Sequence, residues 1–497
     1  MMRKSGILLS ISSLPSKYGI GDLGKGAYRF VDFLAASYQA YWQILPYFPT
    51  DFVGSSPYSS CSAFAGNINY IDLEAISRFI DIDLATLECL ENRCIDYNKV
   101  ISVKNTVLKE AALNFLHRAS EDEIKKFEKF RKSASYWLLD FSSFVVFKNY
   151  YSRSESLEAF NVLFSREILK RDNRALAKLR EVLDVDIKVQ QVLQYFFFSQ
   201  FKDLKRYANS AGVSIIGDIP IFVSYDSADV WAHQKYFKLK FDASKDKVTG
   251  APPDYLYREG QLWGNTAYNW KALKKDSYEW WINRIDFLQK YVDIVKIDHF
   301  RGFVSTWEVD ARETNAIKGH WVRCPGKDFL KHLLSKINNL RIWVEDLGSG
   351  FEDTFKLRDY FNFPGMKVMQ FAFDFDAKNP YLPHNYIRNC IVYTGIYDNN
   401  TTREFISSLD DKHKRYIFDY FNTDEDSVVW DMIRGAMASV SDSVIIPMQD
   451  YLDLEGEFRM NIPGTVFNSW TFKMLNSDLT DNLSKKISDI TKLYGRI

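Results

Sequence analysis

The sequence predicts an α/β fold that closes into a (β/α)8 barrel, and three features of the chain support this prediction. Eight short apolar runs recur along the 497 residues, each stopping at a polar or turn residue. The stretches between most of them carry apolar residues at every third or fourth position, as amphipathic helices do. The runs are β-branched and apolar on both faces, which is typical of buried parallel strands. Eight alternating units of this kind favour a closed barrel.

The candidate strands follow one another at intervals along the chain. They are Gly6–Ser10, Tyr41–Leu45, Val213–Ile219, Asp293–Ile297, Arg341–Val344, Lys367–Phe371, Cys390–Thr394 and Val444–Met448. Gly26–Tyr38 and Ser277–Tyr291 are examples of the helices between them. An open, doubly wound sheet is the alternative arrangement. No glycine-rich phosphate loop follows the first run, and this disfavours the nucleotide-binding form of that alternative.

One connection is too long to be a simple crossover. More than a hundred residues separate the second and third runs. The connection begins with a turn-rich segment, 54–73, and continues with charged segments whose apolar residues recur at helical spacing. We therefore predict a single catalytic barrel domain over residues 1–497, with a loop and a mostly helical subdomain inserted at 54–210.

The composition of the chain limits the classes of molecule that the protein is expected to bind. Lys plus Arg equals Asp plus Glu at 64 each, so no net field favours nucleic acid or an anionic membrane surface. No apolar stretch approaches the roughly 20 residues of a membrane span, and the N-terminal run is too short for a signal peptide. The five scattered cysteines lack zinc-ligand spacing, so we expect no metal, no cofactor and no disulfide framework. The predicted location is the cytoplasm.

Acidic residues stand at or near the ends of several runs. Asp298 ends the fourth run, Glu345 ends the fifth, Asp398 follows the seventh, and Asp218 interrupts the third. In a (β/α)8 barrel the C-terminal strand ends surround the active-site mouth, so these carboxylates should converge. Converging carboxylates among aromatic residues suit glycosidic bond chemistry, which needs a nucleophile or base and a proton donor. The alternative is that each is a helix N-cap or a salt-bridged loop residue.

The chain also contains a series of collinear motifs. They are SSLPSKYGIGDLG (12–24), SPYSSCSAFAGN (56–67), GDIPIFVSYDSADVWAH (217–233), GAPPDY and GQLWGN (within 250–265), IDHFRGF (297–303), EDLG (345–348), FPGMKVMQFAFD (363–374), NPYLPHNY (379–386) and RMNIPGT (459–465). Through them the chain resembles the 4-α-glucanotransferases (amylomaltases or disproportionating enzymes, glycoside hydrolase family 77) over nearly its whole length. The resemblance implies a (β/α)8 TIM barrel without the C-terminal β domain of α-amylases.

The resemblance implies definite roles for the three carboxylates. Asp298 would be the nucleophile that forms a covalent glucosyl-enzyme intermediate, and Glu345 the acid and base. Asp398 would stabilise the oxocarbenium-like transition state. The implied reaction transfers a segment of a 1,4-α-glucan to the 4-hydroxyl of another glucan or of glucose, with retention of configuration. Maltooligosaccharides and α-1,4-glucans would be its substrates.

The resemblance implies a wider substrate-binding set as well. Its members are Tyr58, Asp218, Trp263, Lys296, His299 and Tyr397. Tyr58 and Trp263 are candidate platforms under glucose rings, although each could instead be core. An active-site loop region is expected at 246–270, where 250–255 resembles the family's loop over the cleft.

The sequence departs from the family pattern around two of the carboxylates. Lys296 stands where the family usually carries Arg, Tyr397 where it carries His, and Asn400 where it carries Asp. Arg offers a planar fork, whereas Lys is a flexible point charge. Because all three carboxylates are present, we predict an active enzyme with an altered rate or chain-length preference. Two alternatives stay open, an α-glucan hydrolase that excludes water poorly and a glucan-binding protein whose site has decayed.

Overall fold

The computed structural model describes residues 3–50, 55–89, 91–152, 158–253, 258–348, 352–465 and 468–497. Within these ranges the chain forms twelve strands and eighteen α-helices. The strands are β1 (Lys4–Leu8), β2 (Tyr41–Gln43), β3 (Ser214–Ile219), β4 (Lys247–Ala251), β5 (Gln261–Thr266), β6 (Ile294–Ile297), β7 (Ser305–Asp310), β8 (His320–Arg323), β9 (Ile342–Val344), β10 (Gly365–Val368), β11 (Cys390–Tyr393) and β12 (Ser443–Pro447).

The helices alternate with these strands or form the long connection after β2. They are α1 (Lys25–Ala36), α2 (Tyr97–Arg118), α3 (Glu121–Ser133), α4 (Leu138–Tyr151), α5 (Phe160–Leu163), α6 (Arg166–Leu169), α7 (Asn173–Val182), α8 (Asp184–Ser210), α9 (Ala228–Ala232), α10 (Trp270–Lys275), α11 (Glu279–Gln289), α12 (Gly326–Lys336), α13 (Glu352–Tyr360), α14 (Thr402–Ser407), α15 (Asp411–Phe421), α16 (Val428–Ala438), α17 (Met448–Tyr451) and α18 (Asp481–Leu493).

Eight strands form one parallel sheet in the order β10-β11-β12-β1-β2-β3-β6-β9. Each of the eight predicted runs overlaps one of these strands, and the order around the sheet follows the order along the chain. The predicted (β/α)8 barrel is therefore confirmed. The short runs form strands because both faces are buried: all five residues of β12 and all four of β11 are buried. Each fully buried Ile or Val stabilises the fold by about 1.5–3 kcal/mol.

Between β9 and β10 the barrel is closed by individual hydrogen bonds and an ion pair rather than by a regular ladder of backbone hydrogen bonds. We call this junction the seam. The Val344 amide donates to the Pro364 carbonyl at 3.2 Å. The Asp346 carboxylate, two residues after β9, accepts from the Met366 amide of β10 at 2.8 Å and pairs with Arg358 of α13. A side chain at Gly365 would collide with that carboxylate, so glycine is what allows the two strands to approach. Asp346 is therefore the link that closes the barrel.

The interior of the barrel is polar towards the C-terminal ends of its strands. Tyr393 of β11 donates across the barrel to the Gln43 side chain of β2 at 2.7 Å. Asp218 of β3 and Lys296 of β6 are register partners on neighbouring strands. Barrel interiors are usually filled by branched apolar side chains. These four polar side chains therefore mark this end of the barrel as the functional one.

Two additions to the barrel are inserted along the chain, one between β2 and β3 and the other in the connections that follow β3 and β6. Helices α2–α8 fall within the predicted insertion at 54–210, and α3 begins with a capping box between Ser120 and Glu123. A second, antiparallel sheet has the order β5-β4-β7-β8, which the sequence reading did not predict. Strands β4 and β5 occupy the predicted loop region 246–270. The end of the predicted cleft loop, Asp254 and Tyr255, lies outside the described residues.

Among the described residues, no helix combines the length and apolar character that crossing a bilayer requires. In the part of the chain that the structure describes, no disulfide joins any of the five cysteines. These side chains are Cys61, Cys89, Cys94, Cys324 and Cys390.

The seam generates a stability prediction. Replacing Asp346 with Ala should lower the free energy of unfolding by about 3–5 kcal/mol, because it removes the buried carboxylate that binds the Met366 amide and leaves the half-buried Arg358 guanidinium paired only with the exposed Asp359. The measurement is urea unfolding followed by circular dichroism. The control is Asp353→Ala, which removes an exposed ion pair with Lys356 on the same helix and should cost under about 1 kcal/mol. Equal effects of the two substitutions would contradict the role of Asp346 in closing the barrel.

Candidate active site

A single buried ammonium group brings three carboxylates together at the C-terminal end of the barrel. The Lys296 side chain is 1% exposed. Its Nζ lies 2.8 Å from Asp218 Oδ2, 3.3 Å from Asp298 Oδ1 and 3.2 Å from Glu345 Oε2. The carboxylates come from three neighbouring strands, β3, β6 and β9. The structure thus brings together four of the residues that the sequence singled out.

The backbone explains why Asp298 and Glu345 face the same point. The Asp298 amide donates to the Ile219 carbonyl at 3.1 Å, and the Glu345 amide donates to the Ile297 carbonyl at 2.9 Å. These bonds extend the β3–β6 and β6–β9 ladders by one residue, so both backbones are fixed at their strand ends. His299 follows in the left-handed region, with a φ of 50°, and turns the chain sharply away.

Two stacked tyrosines cover this cluster. The Tyr397 hydroxyl donates to Asp298 Oδ1 at 2.8 Å, and the Tyr58 hydroxyl donates to Asp218 Oδ2 at 2.8 Å. Their rings stack with centroids 4.4 Å apart at 23°. The Trp470 ring lies against both, at 5.7 Å from Tyr58 and 5.9 Å from Tyr397. Asp298 Oδ1 therefore has two donors, the Tyr397 hydroxyl and the Lys296 ammonium.

Burial and charge set different protonation states within the cluster. Burial raises the pKa of Glu345 well above its usual value, and the Asp298 charge raises it further against the opposing effect of Lys296. Burial likewise raises the pKa of Asp218 to about 6, although Lys296 opposes it. Burial lowers the pKa of Lys296, but Asp218, Glu345 and Asp298 outweigh it and the net shift is strongly upward. Glu345 is thus suited to carry a proton beside a permanent cation.

Asp398 lies beside the cluster on the loop after β11. Its Oδ1 accepts from the Asn461 side-chain amide at 2.6 Å, and its carbonyl accepts from Arg459 at 2.9 Å. Burial raises its pKa to about 6, against the Asn461 hydrogen bond. Asp398 and Glu345 share the wall of one cleft with a volume of about 1360 Å³.

The cleft is larger than the roughly 300–1,000 Å³ of most small-molecule sites. Its aromatic lining consists of Phe355, Phe371, Phe373 and Tyr381. Aromatic faces can pack against the C–H faces of sugar rings. The size and lining together suit an extended, hydroxylated ligand more than a single small molecule.

Trp263 and His299 form a second wall near the carboxylates. Their rings meet edge to face, with centroids 4.9 Å apart at 86°. Both side chains are half-buried, and Trp263 Nε1 donates to the Gln261 side chain at 3.2 Å. Trp263 is therefore not enclosed in the core. Burial lowers the pKa of His299 to about 4, although the Asp298 charge opposes it.

The side chains of Asp218 and Asn400, which the sequence singled out, make contacts that the sequence did not predict. The Asp218 side chain is fully buried beneath Lys296 and Tyr58, so it lies under the cluster rather than at its surface. Its contact with substrate stays a prediction. The Asn400 side chain accepts from the Thr401 amide at 2.9 Å, and its carbonyl accepts from Gln370 at 2.9 Å. Asn400 therefore shapes the turn after Asp398.

Sequence reasoning missed several residues of the site. They are Gln43, Tyr393, Arg459, Asn461 and Trp470. Gln43 and Tyr393 stand in apolar runs, where a polar residue at a strand end was the available signal. Arg459 and Asn461 lie in the RMNIPGT motif at 459–465, which carries part of the family resemblance. Nothing local in the sequence indicates that Trp470 reaches the tyrosine pair.

Across the described ranges, no group of three or more His, Cys, Asp or Glu side chains has an arrangement that could hold a metal ion. In the carboxylate cluster, the Lys296 ammonium lies within 3.3 Å of all three carboxylates.

Comparisons with known proteins agree over almost the whole chain. The family model described as 4-alpha-glucanotransferase, glycoside hydrolase family 77, matches residues 9–479. A 4-alpha-glucanotransferase of Clostridium butyricum is 41% identical over 497 residues, covering 98% of this chain and 100% of that protein. Another, of Synechocystis sp., is 40% identical and covers 99% of this chain and 98% of that protein.

A solved structure is also similar. The amylomaltase from Streptococcus agalactiae, in complex with acarbose, superposes with a TM-score of 0.94 at 37% identity. The superposition covers 99% of each chain. The similarity therefore extends to the barrel and to the segments between its strands.

The environment of His299 generates a prediction about its charge. Because burial lowers its pKa to about 4, the imidazole should stay neutral as the pH falls from 8 to 5. Its NMR C2–H chemical shift should be constant over that range, with the signal assigned by its loss in His299→Gln. A titration midpoint near the usual value of about 6.5 would contradict the structure.

Proposed function

The chain belongs to the 4-alpha-glucanotransferase family, glycoside hydrolase family 77, and on this premise we propose the roles of its individual side chains. The enzyme transfers a segment of a 1,4-α-glucan to an acceptor glucan by a retaining double displacement. The observation that carries the assignment of roles is the Lys296 cluster, in which Asp298 and Glu345 face one ammonium from adjacent strand ends.

Asp298 is assigned as the nucleophile. Its Oδ1 accepts from both Lys296 and Tyr397, at 3.3 and 2.8 Å, and these donors fix the orientation of the carboxylate. We assign Oδ2 as the oxygen that attacks the anomeric carbon. As the new bond forms, the glycosidic bond breaks and the departing oxygen takes the Glu345 proton. The product is a glucosyl ester of Asp298.

Glu345 is assigned as the acid and then the base. The raised pKa of its carboxyl group keeps the proton available for the first step. After that step it is a carboxylate and accepts a proton from the 4-hydroxyl of the acceptor. The acceptor oxygen then replaces Asp298 at the anomeric carbon. Two inversions give overall retention.

Asp398 is assigned to the sugar hydroxyls next to the reacting carbon. The bond from Asn461 occupies its Oδ1 and leaves Oδ2 for substrate. Tyr58 and Trp263 are proposed as platforms at the two sides of the carboxylates, since both are half-buried beside them. Lys296 and Tyr397 are proposed to act on substrate through the Asp298 carboxylate they contact, and Asp218 through Lys296.

The substrates are proposed to be maltooligosaccharides and longer α-1,4-glucans. The volume of the cleft and its aromatic lining support an oligomeric ligand. The similar amylomaltase from Streptococcus agalactiae binds acarbose, and we expect this chain to bind it in the same cleft. The cytoplasmic location remains a prediction from the sequence. That the protein does not bind nucleic acid also remains a prediction.

Product analysis on maltotriose tests these roles. The wild type should give glucose together with a ladder of longer maltooligosaccharides, because a sugar hydroxyl replaces water as acceptor. Asp298→Asn should lower the rate by more than about 10³-fold, since no covalent intermediate forms. Glu345→Gln should lower it by about 10²–10⁴-fold through loss of proton transfer. Products are separated by anion-exchange chromatography.

A matched control accounts for general effects of neutralising a carboxylate. Asp286→Asn alters an exposed residue of α11 that pairs with Lys290 at 3.2 Å, and it should leave the rate unchanged. Glucose and maltose without longer products would favour the hydrolase alternative. Binding of amylose without any product would favour the decayed-site alternative.

A further inference from the structure

One cation faces both groups that carry negative charge during the reaction. Lys296 Nζ is 3.3 Å from Asp298 Oδ1 and 3.2 Å from Glu345 Oε2. Among the described residues, the ion pairs of Asp298 and of Glu345 are with Lys296 alone. The ammonium also pairs with Asp218 at 2.8 Å, and this contact fixes its position. It can therefore pair with either Asp298 or Glu345 without moving.

The double displacement moves charge between these two groups. Before the first step Asp298 is a carboxylate and Glu345 is protonated. When Asp298 Oδ2 bonds to the anomeric carbon, Asp298 becomes a neutral ester, and Glu345 becomes a carboxylate by giving its proton to the departing oxygen. In the second step the acceptor hydroxyl returns a proton to Glu345, and the ester bond breaks to restore the Asp298 carboxylate. The net charge of the cluster is the same in all three states.

We propose that Lys296 is the shared counter-ion of both steps, paired with Asp298 in the free enzyme and with Glu345 in the covalent intermediate. This inference rests on the proposed roles of Asp298 and Glu345. It extends the role of Lys296 from the first step to the second, in which the acceptor reacts with the covalent intermediate. An ammonium suits the task because it is a compact charge with three rotatable donors. In a buried cluster the two pairings are strong, since little water screens them.

The competing explanation is that Lys296 acts only through Asp298. Tyr397 provides the internal contrast, because its hydroxyl donates to Asp298 Oδ1 and has no such contact with Glu345 among the described residues. The titratable and charged groups around Lys296 must be considered together in any pH experiment. They are Tyr58, Asp218, Asp298, His299, Glu345, Tyr393, Tyr397 and Asp398.

The two steps can be measured separately with α-maltotriosyl fluoride as donor and glucose as acceptor. In a ping-pong mechanism, kcat/KM for the donor reports the free enzyme, and kcat/KM for the acceptor reports the covalent intermediate. Rates are followed by fluoride release and by the appearance of maltotetraose between pH 4 and 9. The fluoride donor also separates the two proposals. If the wild type transfers nothing from it, the proposed function fails, and not merely the role of Lys296.

The acceptor profile is the plot of kcat/KM for the acceptor against pH, and its acid limb is the fall of that rate constant at low pH. In Lys296→Met and Lys296→Gln, this acid limb should move to higher pH by at least about one unit. The reason is that the Glu345 carboxylate of the intermediate loses the cation that pairs with it. Lys296→Arg keeps the charge and should keep the limb in place. Tyr397→Phe should change the donor profile and leave the acceptor limb unshifted.

An unshifted acceptor limb in the neutral Lys296 variants would overturn the proposal, whatever their turnover, and would assign the lysine to Asp298 alone. Asp218→Asn tests the same idea without removing the lysine, should the neutral variants not fold. It frees Lys296 from its nearest carboxylate and also removes the Asp218 charge that itself raises the pKa of Glu345, so both effects should move the acceptor limb to lower pH. An unchanged limb would again contradict the proposal. Lys238→Met, which breaks an ion pair with Glu308 at 2.6 Å, is the control and should alter neither profile.

Discussion

The burial of one ammonium group among three carboxylates is the constraint on which the rest of the site depends. Removing four ionisable groups from water is costly unless each finds close partners. The barrel meets this requirement by supplying the groups from β3, β6 and β9 at one level. Because the charges are held by strand ends and not by loops, their positions are as fixed as the barrel itself. The tyrosine pair then covers the cluster from the open side.

The fold could be predicted because its signals are local and repeated. A strand buried on both faces has to be a short apolar run, and eight such runs with helices between them leave few arrangements. The antiparallel sheet was missed for the opposite reason. Strands β5 and β8 are partly or largely exposed, and they mix Gly, Asn and charged residues with Trp. Their pairing is decided by tertiary contacts that no local pattern records.

The site was predictable in part. Asp298 and Glu345 could be placed because the ends of parallel strands meet at one edge of the sheet. The partners of these carboxylates could not be placed, since they depend on side chains far apart in the chain. Tyr58 and Tyr397 are separated by most of the barrel in sequence, yet their rings stack at 4.4 Å. The departures at Lys296 and Tyr397 also look independent in the sequence, whereas both bind the same Asp298 oxygen.

The barrel seam has a consequence for how this enzyme fails. Glu345 and Asp346 are consecutive residues, and one belongs to the carboxylate cluster while the next ties β9 to β10. Because the other seven junctions of the barrel are regular ladders, the seam is the place where the structure can open first. Asp218, Asp298 and Glu345 stay together on the β9 side of the seam, because the β3–β6 and β6–β9 ladders join their strands, whereas Asp398 follows β11 on the β10 side. A fluctuation that separates β9 from β10 therefore carries Asp398 away from the other carboxylates. Heat inactivation and exchange of the Met366 amide hydrogen with solvent should then both report the same event, the separation of β9 from β10.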